Sequence, residues 1–140
     1  MKRYYIGLGF PKDADQKLEE FTNKQNTIAH PLDSHLINDR KHRLTPQIKK
    51  FLENLSLQKD QIFEYRERDD RTVDRAVYEI SFNKDQNIKL VIMEDGRIKT
   101  FWLNYKWDMH ENLDARMYDT VAILKQINAR LKNINLYIDS

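Results

Sequence analysis

The chain contains no cysteine. That excludes a disulfide framework, a thiol nucleophile and any zinc or iron–sulfur site built on thiolates. Glycine and proline are scarce, with three of each in 140 residues, which excludes collagen-like and linker-rich architectures. No Gly-x-x-x-x-Gly-Lys, Gly-x-Gly-x-x-Gly or Gly-x-Ser-x-Gly motif occurs, so the usual phosphate loop, dinucleotide fingerprint and nucleophile elbow are missing. No His-Glu-x-x-His or His-x-x-x-His spacing occurs either, and no metal site is expected. No stretch approaches the roughly 18 apolar residues of a membrane span. The basic start Met1-Lys2-Arg3 precedes an apolar stretch too short for a signal peptide. The expectation is a cytoplasmic chain with no membrane contact. Charge of one sign is also lacking: 24 Lys and Arg face 22 Asp and Glu, a net +2. Such balance weakens non-specific binding to polyanions but leaves room for a local basic patch.

What is present suits one α+β domain spanning residues 1–140, with 40% hydrophobic and 33% charged residues. Tyr4, Ile6, Leu8 and Phe10 alternate with Tyr5, Gly7 and Gly9, which predicts a strand ended by Pro11. Asp13 as N-cap with Gln16 behind it opens a helix to about Gln25. Residues 26–43 read as a loop with one short helix near Ser34–Asp39. Thr45-Pro46 starts a further helix, whose Ile48, Phe51, Leu52 and Leu55 form one apolar stripe. A strand-rich block follows: Ile62–Arg68, Ala76–Phe82, Ile88–Met93 and Ile98–Tyr105. Asp95-Gly96 between the last two predicts a type I′ hairpin. The run Ile98–Tyr105 is apolar on both faces, which predicts a central strand. Leu113, Met117, Val121, Leu124, Ile127, Leu131, Ile134 and Ile138 step by three or four. They predict a long C-terminal helix packed on the sheet. The expected fold is thus an antiparallel four- or five-stranded sheet with two N-terminal helices and that terminal helix.

Several constellations carry candidate chemistry. His30, His35 and His42 lie near Arg40, Lys41 and Arg43. A histidine beside cations suits general acid–base work on a phosphodiester; the plainer reading is a solvated basic loop. Arg66, Arg68, Arg71 and Arg75 flank the first hairpin. Alternation puts Arg66 and Arg68 on one sheet face, where two guanidinium groups can grip a phosphate; the plainer reading is a solvent face balanced by Glu64, Glu67, Asp69, Asp70 and Asp74. Phe101, Trp102, Tyr105 and Trp107 form an aromatic set. Such rings stack bases or anchor protein interfaces, with Phe101 and Trp102 expected in the core and Trp107 exposed.

The segments His35…Lys41-His42, Ile48–Leu52, Ala76–Phe82 and Lys89–Phe101 together resemble the class of metal-independent ribonucleases that includes barnase, EndoU, colicin and RelE-type toxins. The resemblance covers about half the chain, from His35 to Tyr105. It implies His42 as base or acid, Arg66 or Arg68 as the phosphate-binding cation and Thr100 as the late hydroxyl. The implied reaction is attack of the ribose 2′-hydroxyl on the adjacent phosphate of RNA, with no metal or organic cofactor. A second reading belongs to another class: a small non-enzymatic inhibitor of another protein, such as an immunity protein, antitoxin or phage counter-defence factor. Its surface would comprise Tyr105, Trp107, His110 and the arginine-rich hairpin, with His35, Arg40, Lys41 and Arg43 as further binding residues. A homodimer paired through the C-terminal helix is a third expectation.

Overall fold

A computed structural model of the chain describes residues 1–38 and 44–106. The basic run Arg40–Arg43, with His42, and everything from Trp107 onward lie outside the described residues, including His110 and the stripe from Leu113 to Ile138. The described elements run β1 (Lys2–Tyr5), α1 (Ala14–Gln25), α2 (Ser34–Asn38), α3 (Pro46–Glu53), β2 (Ile62–Glu67), β3 (Val73–Ser81), β4 (Gln86–Met93) and β5 (Ile98–Tyr105). The strands form one antiparallel sheet in the order β1-β2-β3-β4-β5. Consecutive hairpins produce this meander, and β1 joins the outer edge of β2. The α+β class and the antiparallel sheet agree with the sequence reading.

The inner face of the sheet carries the core. Tyr4, Tyr65, Ala76, Ile92 and Ile98 are cross-strand partners and all are buried. Tyr78, Leu90 and Phe101 form the next buried row. The helices pack on this face. In α1, Ala14, Leu18, Phe21, Thr22 and Gln25 are buried at helical spacing. Leu36 of α2 and Ile48 and Leu52 of α3 join the same cluster. Two polar contacts fix the layers: Thr22 Oγ1 and Tyr78 Oη lie 2.7 Å apart, and Gln25 Nε2 donates to the Glu94 carbonyl at 3.0 Å. Asn26 pins the segment after α3, its amide donating to the Leu57 carbonyl (2.8 Å) and its oxygen accepting from the Leu57 N–H (3.0 Å). Thr45 caps α3 through the Ile48 N–H, with Pro46 at its first turn, as the sequence predicts.

The structure corrects several local expectations. The first strand ends at Tyr5, and Ile6–Leu8 forms a tight helical turn closed by Gly9, whose φ is 91° and whose N–H bonds the Ile6 carbonyl. Asp13 makes no capping bond; its carboxylate instead receives Lys17 (3.0 Å) and Arg71 (2.8 Å). The Asp95-Gly96 hairpin is not type I′, because only Gly96 has positive φ. Gly96 N–H bonds the Met93 carbonyl and Met93 N–H bonds the Arg97 carbonyl, the pattern of a type I turn followed by a glycine bulge. The β2–β3 turn repeats this pattern: Arg71 N–H bonds the Arg68 carbonyl, and Arg68 N–H bonds the Thr72 carbonyl. There Arg71 holds the left-handed position at φ 71°. Strand β5 is an edge strand, not a central one. Its start is covered by a loop, with Ile98 N–H on the Pro31 carbonyl and Asp33 N–H on the Ile98 carbonyl. Phe101 is in the core as expected, whereas Trp102 is 39% exposed.

Candidate functional site: the outer face of the sheet

Of the described candidate residues, the sheet's second face carries Arg66 and Thr100. The pairings Arg3↔Arg66, Arg66↔Arg75 and Arg75↔Met93 put three guanidinium groups in one row across β1, β2 and β3. The adjacent row is Tyr5, Glu64, Val77, Val91 and Thr100. Glu79, Lys89 and Trp102 follow, then Ser81, Asn87 and Asn104. A bulge between Ile62 and Glu64 turns Phe63 to this face as well, where its ring meets Tyr5 edge-on.

The electrostatics of the arginine row are uneven. Arg3 Nε donates to Glu64 Oε1 at 2.5 Å. Arg75 Nε donates to Asp74 Oδ2 at 2.6 Å. Arg66, between them, makes no side-chain hydrogen bond; its nearest carboxylate oxygen is the same Glu64 Oε1, 4.0 Å away and already engaged by Arg3. Burial, together with the like charges of Arg3 and Arg75, holds the Arg66 guanidinium below its ordinary pKa. A guanidinium carries five donors in a fork that matches a carboxylate or phosphate. Arg66 thus presents a partly buried cation whose donors are not taken up by the described protein.

The rest of the face is partly apolar. Lys89 is almost fully buried, its ammonium 3.7 Å above the Phe63 ring and 3.5 Å from Glu79 Oε2. An ammonium over an aromatic face gains cation–π attraction in place of hydration. Val77 and Val91 are buried beside it.

The described sequence-predicted residues do not meet at one point. Arg66 and Thr100 share the outer face but sit on β2 and β5, three strand spacings or about 14 Å apart. Arg68 lies one residue beyond the end of β2 at Glu67, so it does not join that strand's outer row. Its guanidinium is taken up at the turn by Asp74 (3.2 Å), Glu94 (2.7 Å) and the Val73 carbonyl (3.3 Å), tying two hairpin ends together. His35 stands beside the loop that covers β5, its Nδ1 3.1 Å from Asp33 Oδ1. That hydrogen bond, with the Arg97 charge, holds the Asp33 carboxyl below its ordinary range. Tyr105 ends β5 opposite Gln86 and is exposed. Arg40, Lys41, His42, Arg43, Trp107 and His110 lie outside the described residues.

Sequence reasoning missed Arg3, Phe63 and Lys89. Lys89 carried a signal, as a lone charge inside the apolar run Ile88–Met93. Arg3 carried none, because only register sets it beside Arg66. Among the described residues no cluster of His, Asp and Glu is arranged to hold a metal ion, and no helix is long and apolar enough to cross a membrane. Comparison with known proteins finds no family model that matches the chain, no matching curated protein and no matching solved structure.

Proposed function

We propose that the chain is a non-enzymatic binding domain whose outer sheet face docks an acidic segment of a partner protein, with Arg66 as the central anchor. The observation that supports it is the Arg66 guanidinium, partly buried between two arginines and without a hydrogen bond to the described protein. A partner carboxylate arriving there forms a bidentate pair and relieves like-charge repulsion. Arginine is among the residue types that most often dominate interface energies.

A protein partner fits better than RNA. The cations Arg3, Arg66, Arg75 and Lys89 are interleaved with Glu64, Asp74 and Glu79. Binding to a nucleic-acid backbone needs several phosphates neutralised together, and so mixed a field does not provide that. Tyr5, which an RNA reader would use for stacking, is buried. The ribonuclease reading gains no support from a face on which Arg66 and Thr100 lie strands apart.

The test is a titration of the full chain at low ionic strength with a blocked oligoglutamate peptide, set beside a single-stranded RNA of equal charge. The arginine Nε–Hε resonances report which guanidinium responds. The peptide is expected to shift Arg66 most, and Arg66→Ala to weaken it about tenfold or more, the loss of one buried charged anchor. Equal affinity of wild type and Arg66→Ala would overturn the proposal. RNA cleavage that disappears in His42→Ala would replace it with the ribonuclease reading.

A further inference from the structure

The outer face has a buried centre with no described layer above it. Val77 is 6% exposed, Val91 8% and Lys89 2%. Burial this complete on a sheet face requires an overlying layer. Helices α1, α2 and α3 all pack on the opposite face, so the cover comes from elsewhere.

We infer that the cover is the chain's own C-terminal segment, residues 107–140, docked in cis over the Val77–Val91 and Lys89–Trp102 rows, with the arginine row left at its rim. Length separates the two stretches outside the described residues. Residues 39–43 read Asp-Arg-Lys-His-Arg, too short and too polar to cover an apolar row. Residues 107–140 carry the stripe Leu113, Met117, Val121, Leu124, Ile127, Leu131, Ile134 and Ile138. As a helix, residues 113–138 would reach about 39 Å at 1.5 Å per residue. The face is about 27 Å along its eight-residue strands and about 19 Å across, a diagonal of about 33 Å.

The exit point agrees. Lys106 N–H bonds the Asp85 carbonyl and its ammonium donates to Ser81 Oγ. Ser81 belongs to the outer face, so the chain leaves β5 on that side, at the end remote from the arginines.

Methyl-labelled full-length protein tests this without any substitution. Nuclear Overhauser contacts are expected between the Val77 and Val91 methyls and those of the stripe, Val121, Leu124 and Ile127 among them. Their absence overturns the inference. In a mixture of differently labelled copies, the same contacts appearing between copies would assign the face to a second molecule and overturn docking in cis. Neither outcome involves an acidic partner, so this test fails or succeeds independently of the binding proposal.

Discussion

Replacing Glu67 by glutamine removes a buried charge at the opposite edge of the domain from β5. Glu67 is 1% exposed. It receives Lys17 Nζ at 3.0 Å and Arg71 Nε at 3.1 and 3.0 Å on its two oxygens. Breaking a fully buried ion pair from one side costs about 3–5 kcal/mol. The cations here are less buried, at 26% and 57% exposure, and both also reach Asp13. They rehydrate in part and keep one partner, so the expected loss falls to about 2–3 kcal/mol. For a chain of 140 residues that is a fall in Tm of about 7–10 °C. Thermal and urea unfolding followed by circular dichroism measure it, with Glu53→Gln, an exposed acid, as the control expected to change stability by under about 0.5 kcal/mol. A double-mutant cycle with Arg71→Met should return a coupling of about 1 kcal/mol or more. A Glu67→Gln loss no larger than the control, or zero coupling, would refute the argument that this network closes the β1–β2 edge.

Other positions give equally specific expectations. Gly96→Ala places a methyl 2.6 Å from the Ala29 carbonyl oxygen at a φ of +96°, and the urea midpoint should fall by the equivalent of about 2–4 kcal/mol; unchanged stability would mean the turn is not the bulge type described. Tyr65 and Tyr78 make a matched pair, both fully buried. The Tyr65 hydroxyl has no hydrogen-bond partner, whereas that of Tyr78 lies 2.7 Å from Thr22. Tyr65→Phe should therefore be neutral or stabilising by up to about 1 kcal/mol, and Tyr78→Phe destabilising by about 1 kcal/mol; equal losses at both would contradict the assignment. Burial pushes both phenols above their ordinary pKa. The unfolded chain therefore ionises first as pH climbs past about 10, and stability falls over that range. Their phenolate absorbance should appear together with the loss of circular dichroism, and its appearance while the fold is intact would count against their burial.

Much of the fold was legible because local chemistry dictates it. Thr45-Pro46 can only open a helix cheaply, and the alternation of Ala76, Tyr78 and Ile80 does predict the inner face of β3. What escaped is non-local. The register shifts at Ile62/Glu64, Arg66/Glu67 and Val91/Ile92 add residues that a period-two count cannot see. The first puts Phe63 on the outer face beside Glu64. Phe101 and Trp102 put apolar rings on both sides of β5, yet Trp102 is 39% exposed, and apolar residues on both sides say nothing of strand order, which is why an edge strand reads as central. The arginine row was half visible: Arg66 and Arg75 stood out beside the turn, but Arg3 lies 63 positions away in the chain and joins only through pairing of β1 with β2.

The central claim is that Arg66 offers its unused guanidinium to a carboxylate, and a charge swap addresses it most directly. Arg66→Glu is measured against wild type with an oligoglutamate and an oligolysine peptide by calorimetric titration, with circular dichroism confirming the fold. The expected result is a crossover: the variant loses the acidic peptide and gains the basic one. Preservation of wild-type preference in the folded variant would contradict the account and place any docking surface elsewhere.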